Sequence, residues 1–133
     1  MQNEKEDQSE NIGASITPWL SVNNGEKAVA FYKEAFDAVE VYRLEDAGKN
    51  IVVRLSVHGA EFWISGEDNG NGKSVLGGKS VRMILTVSNP DEVFKKALKA
   101  GATEIFPVGE DHGWRLGRLE DPFGLHWEIG KPV

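Results

Sequence analysis

At 133 residues, with 40% hydrophobic residues and four Trp, the chain is long enough for a compact core and too apolar for a disordered polymer. Its 15 Lys+Arg against 21 Asp+Glu, a formal charge of −6, offer no basic stripe to nucleic acid. The absence of Cys excludes a disulfide scaffold, thiol catalysis and Cys-type zinc sites.

Residues 1–13 (MQNEKEDQSENIG) are polar and acidic. They lack the apolar centre of a secretion signal and read as a disordered tail on a cytoplasmic protein. No apolar run exceeds strand length, so no contact with a membrane is expected. Ser15–Val22 reads as a first strand, placed at a sheet edge by Pro18. Asn23 or Asn24 caps the helix that follows, with Glu26 in its first turn. Ala28, Val29, Tyr32, Ala35 and Phe36 make one apolar stripe on that helix, and Phe31 falls off it. Val39–Leu44, Ile51–Val57 and Ala60–Ser65 read as three strands, with His58-Gly59 as the second turn. Gly66–Lys79 holds five Gly without a pattern and reads as a flexible link or a loop lid.

The same order then recurs. Ser80–Val87 reads as a strand. Asn89-Pro90-Asp91-Glu92 starts a helix with a capping side chain, Pro in the first turn and acids at the positive end. Its stripe is Val93, Phe94, Ala97, Ala100 and Gly101. Thr103–Val108, Trp114–Glu120 and Leu125–Ile129 complete a second set of strands. The last two are joined by a tight turn at Asp121-Pro122-Phe123-Gly124. From Gly59 to Gly124 the offset is 65 residues, and the first strands and helix stripes keep it. The expected fold class is α+β: two βαβββ modules, residues 14–65 and 80–133, joined by residues 66–79. Their curved mixed sheets surround a cup. Neither half buries both faces of its sheet alone, so either the halves pair with each other or chains pair, and a homodimer is expected.

Two βαβββ modules with Trp19-Leu20-Ser21-Val22, Ala30-Phe31-Tyr32 with Phe36, and Trp114 through Trp127 around D-P-F-G resemble the vicinal oxygen chelate superfamily. That superfamily includes glyoxalase I, extradiol dioxygenases, fosfomycin-resistance enzymes and bleomycin-resistance proteins. The chain is most similar to its small glyoxalase/bleomycin-resistance-like and PhnB-like branch. Many relatives carry His directly after the turn Gly. Here that position is Leu125, and the imidazole follows at His126.

The resemblance implies a metal ligand on the first and last strand of each module. Those positions fall near Thr17, Trp63, Arg82 and Glu128. Trp63 cannot coordinate a metal and Arg82 repels one. No metal or other cofactor is therefore expected. The alternative is a metal-dependent lyase, isomerase or dioxygenase with displaced ligands, drawn from His58, His112 or His126 with Glu61 or Glu128. In that case Glu128 is the best catalytic candidate.

Strand parity puts His126 and Glu128 on one face and Leu125, Trp127 and Ile129 on the other. Applied across the repeat, it collects Trp19, Glu61, Trp63, Arg82, Trp114, His126 and Glu128 as ligand-binding candidates. Aromatic walls with a few charges suit a small aromatic or cationic molecule. The expectation is thus a binding protein rather than an enzyme. Arg118, Glu120 and Asp121 read as turn and strand-edge charges, and Arg115 as either an interface or a ligand residue.

Overall fold

The computed structural model describes residues 15–48, 50–66 and 81–133. The acidic tail and, beyond Gly66, the Gly-rich segment lie outside the described residues. Ten elements follow one another: β1 (Trp19–Ser21), α1 (Gly25–Phe36), β2 (Val39–Glu45), β3 (Ile51–Val57), β4 (Ala60–Gly66), β5 (Arg82–Thr86), α2 (Pro90–Ala100), β6 (Thr103–Asp111), β7 (Trp114–Glu120) and β8 (His126–Pro132). They form two four-stranded mixed sheets, ordered β1-β4-β3-β2 and β5-β8-β7-β6. In each sheet the first strand runs parallel to the last, and the other pairs are antiparallel. No helix among the described residues is long and apolar enough to cross a membrane.

Local chemistry explains most boundaries. Asn24 Oδ1 accepts from the Lys27 amide and starts α1. Asn89 does not cap α2 in that way. Its side-chain amide donates to Glu92 Oε2 at 3.2 Å instead. The first strand is shorter than expected, because Pro18 has no N–H for the ladder and contributes only its carbonyl, which accepts from the Trp63 amide at 2.8 Å. His58 and Gly59 both take positive φ, 51° and 95°, the two-residue turn that matches strand twist. His112 and Gly113 do the same between β6 and β7, at 50° and 81°.

Each helix covers one face of its own sheet. On β3, Ile51, Val53, Leu55 and Val57 are buried in strict alternation. The modules are joined by aromatic packing. Trp127 on β8 sits 4.9 Å from Phe36 and 5.4 Å from Phe62, ring centre to ring centre. Phe31, off the expected stripe, is nonetheless only 6% exposed. It packs edge-on against Phe123 at 5.6 Å, so the turn of the second module covers a flank of α1 that its own sheet leaves bare.

Asp121 also departs from expectation. It is not a surface turn charge but is 2% exposed at the module junction. Its carboxylate accepts from the Phe123 and Leu125 amides, the Trp127 indole and the Tyr32 hydroxyl, at 3.0, 2.9, 2.9 and 2.5 Å. Burial pushes the Asp121 carboxyl above its usual range against the pull of these donors, and burial beside Asp121 holds the Tyr32 phenol well above its own.

Candidate functional site

The faces turned away from the helices carry the polar and aromatic residues. The seven ligand-binding candidates divide between them. Trp19, Glu61 and Trp63 lie on the first sheet, and Arg82, Trp114, His126 and Glu128 on the second. Glu61 on β4 and Arg82 on β5 line one cavity of about 340 Å³ together with Pro18, Phe62, Ile84 and Trp127.

On the first sheet, cross-strand register lines up Tyr42, Arg54, Trp63 and Trp19 in one row. The two indoles stack at 5.6 Å with 22° between their planes. Tyr42 meets Trp63 edge-on at 5.7 Å. Trp19 Nε1 donates to Ser65 Oγ at 2.9 Å, which fixes the ring, yet Trp19 remains 53% exposed. An exposed, oriented pair of indoles is a platform for a flat ring or a cation. Arg54 lies 5.2 Å over the Trp63 ring and forms an ion pair with Glu61.

On the second sheet the matching row is Phe106, Arg118, Glu128 and Ile84. A cavity of about 380 Å³ opens over it, lined by Arg82, Phe106, Arg118 and Glu128 among others. A second hollow of about 150 Å³ places Trp114 beside Ile84, Leu116 and Glu128. Glu128 Oε2 stands 3.7 Å from Arg82 Nε, a loose ion pair. His126 is 6% exposed, so it backs the site rather than lining it. Its Nδ1 lies 3.1 Å from an Arg118 terminal nitrogen, and its Nε2 lies 3.4 Å from Glu120 Oε1.

Sequence reasoning missed Arg54 and Arg118 as site residues and read Arg118 as an edge charge. Both project from the third strand of their module into the row described above. Their signal was present in the repeated Arg-Leu pair before each turn, where Leu faces the helix and Arg must face away. Arg115 is resolved as structural. It makes a two-pronged contact with Asp91 on α2, at 2.7 and 2.6 Å, on the helix side of the sheet.

The donor set does not fit a metal. His58 and His112 occupy hairpin turns, and His126 is engaged by Arg118. Among the described residues no three His, Asp or Glu side chains converge. The position opposite Glu128 in the repeat is Trp63, and Arg82 adjoins the one good ligand.

Comparisons with known proteins agree with the architecture. An uncharacterised protein of Mycobacterium bovis is 39% identical over 132 residues, covering 92% of this chain and 86% of that protein. A Mycobacterium tuberculosis protein, also uncharacterised, matches equally, over 92% of this chain and 77% of its own length. Among solved structures, TioX from Micromonospora sp. ML1 superposes with a TM-score of 0.71 at 23% identity, covering 91% of this chain and 100% of TioX. The fosfomycin resistance protein FosX of Listeria monocytogenes, solved with Mn(II) and sulfate, gives 0.70 at 17% identity, covering 92% and 94%. At these identities the two structures establish the shared fold. Residues 14–129 match the family model of the Glyoxalase/Bleomycin resistance protein/Dioxygenase superfamily, and the chain belongs to that superfamily.

Proposed function

We propose that this protein binds a small aromatic or cationic molecule without a metal, as a homodimer, in the manner of the small bleomycin-resistance-like and PhnB-like members of its superfamily. The observation that carries this reading is the Trp19–Trp63 stack, oriented by Ser65 and open on its outer side. An exposed indole pair costs solubility unless something covers it, and its rings provide contact area with few torsions to freeze. The ligand lies with its flat part on these indoles, and the charged groups of Arg54, Glu61, Arg82 and Glu128 select its polar end. Trp114 closes the second hollow. A second copy completes the enclosure, because each open face is walled on one side only.

The metal-dependent alternative requires displaced ligands drawn from His58, His112 or His126 with Glu61 or Glu128, and among the described residues no three such side chains converge. No catalytic step is assigned, and Glu128 acts here as a binding carboxylate.

Calorimetric titration of the purified protein against a panel of planar aromatic amines and carboxylates tests the proposal. Micromolar to millimolar binding by some members, weakened about tenfold or more by Trp63→Ala, is the expected result. A panel-wide failure to bind, or a Trp63→Ala protein that binds as well as wild type, overturns it. Sedimentation in the same buffer reads the dimer.

A further inference from the structure

Arg118 on β7 and Glu128 on β8 are direct cross-strand partners. Opposite charges so placed ordinarily join. Here they do not. Among the described residues no carboxylate lies within ion-pair distance of the Arg118 guanidinium, which donates instead to His126 Nδ1 at 3.1 Å. A guanidinium has only donors. Nδ1 is therefore the acceptor, and the ring proton sits on Nε2, facing Glu120 at 3.4 Å. The first module shows the same lean. Arg54 passes over the residue opposite it, Trp63, and reaches Glu61, which stands where His126 stands in the second. Both arginines bury an Nε without a partner, so both are held in place by their outer nitrogens.

The consequence falls on Glu128. It faces the cavity of about 380 Å³, and among the described residues Arg82, at 3.7 Å, is its one ion-pair partner. The cavity is lined by three carboxylates, Glu110, Asp111 and Glu128, against two guanidiniums, Arg82 and Arg118. We propose that Glu128 receives the cationic end, an ammonium or amidinium, of the ligand, and that His126 is the positioning residue that keeps Glu128 available by drawing Arg118 aside. This rests on the small-molecule binding reading above and adds the sign of the ligand's charge. Without the imidazole acceptor, Arg118 turns to the carboxylate directly opposite, Glu128, which is nearer than Glu120 two residues along its own strand. Glu128 is then neutralised by its neighbour.

The test compares benzamidinium with its neutral analogue benzamide by calorimetry on the full chain. Wild type is expected to favour benzamidinium by about tenfold, the worth of one partly desolvated charge pair. His126→Leu and Glu128→Gln lose that preference, read within each variant as the ratio of its two affinities. His126→Asn, whose Oδ1 falls near the lost Nδ1, retains it. Equal affinities in wild type, or a His126→Leu protein that keeps the preference, overturn the inference and leave the binding function standing. Failure of both probes to bind wild type overturns the inference, and the binding function falls with it only when the wider panel fails too. Nitrogen-15 NMR of the imidazole supplies a ligand-free check that needs no variant to fold: the expected tautomer carries its proton on Nε2, and an Nδ1–H tautomer overturns the inference.

Discussion

Tyr32→Phe tests the junction between the modules with the removal of one oxygen atom. The hydroxyl is buried and donates to Asp121 Oδ2 at 2.5 Å. A hydrogen bond to a charged acceptor contributes about 1.5–3 kcal/mol. Three other donors still hold the carboxylate, so a loss of about 2 kcal/mol is expected. At about 2.1 cal/mol/K per residue, unfolding 133 residues carries about 0.28 kcal/mol/K, and Tm should fall by about 7 °C. The pH dependence is sharper than the magnitude. The folded phenol is held well above its ordinary value of 10.0, so the unfolded chain ionises first as pH rises. The raised value means that the advantage of Tyr over Phe is complete below pH 10 and is lost above it. By pH 11 the loss is about 1.4 kcal/mol, most of the original gap. Tyr42 is exposed, is present in both proteins, and cancels. Urea unfolding of both proteins at neutral pH, pH 9 and pH 11 measures the gap. A neutral-pH difference under about 0.5 kcal/mol, or a difference that stays constant to pH 11, would refute the account of the junction.

The other predictions address packing and charge. Phe31→Ala should cost about 3–5 kcal/mol in the same assay, because the ring is buried between α1 and Phe123; a change under about 1 kcal/mol would mean that the turn does not cover it. Gly117→Ala places a methyl 2.8 Å from the Phe94 ring and 2.9 Å from Val108, and an overpacking cost of about 1–3 kcal/mol is expected by thermal unfolding. Glu40 is held near pH 2 by hydrogen bonds from Arg43 and then Lys33. Its depressed value means that this stabilisation is present above the ordinary carboxyl value of 4.5 and is lost as pH falls through about 2. Carboxyl carbon-13 titration should show Glu40 moving toward the usual range in Arg43→Gln, and a curve unchanged from wild type would remove Arg43 as the cause.

The fold was legible because its signals are local and repeated. Periods of 2 and 3.6, two hairpin turns with positive φ, and a Pro-Gly turn are all written within a few residues. What escaped was set by distance along the chain. Nothing near Phe31 indicates that Phe123 lies over it, and nothing near Asp121 indicates that a tyrosine 89 residues away donates to it. A DPFG tetrapeptide predicts a turn; that its first residue is also a buried acceptor for four donors follows only once α1 is docked. The site was half legible for the same reason. Strand parity placed Glu128, Trp63 and Arg82 on open faces. It did not reveal that His126 is buried behind Arg118, because parity assigns a face and leaves the depth open.

The repeat also explains how one scaffold comes to present two unlike surfaces. The rows Tyr42–Arg54–Trp63–Trp19 and Phe106–Arg118–Glu128–Ile84 occupy corresponding places in the two sheets. The arginine is common to both, and so is its reach past the opposite residue toward the next row. In the first module that reach ends on a carboxylate, Glu61, so the guanidinium is neutralised and an indole is left facing outward. In the second it ends on an imidazole, which satisfies one N–H but cancels no charge, and a carboxylate is left facing outward. Exchanging the partners would exchange the properties. Glu61→His should leave Arg54 uncompensated and lower the attraction of the indole wall for cations. His126→Glu should neutralise Arg118 outright and leave Glu128 free of any competitor but Arg82. Such a protein should bind benzamidinium at least as tightly as wild type, whereas His126→Leu should bind it less tightly. A purely structural role for His126 predicts that both substitutions weaken binding alike, so opposite signs at one position separate positioning from packing.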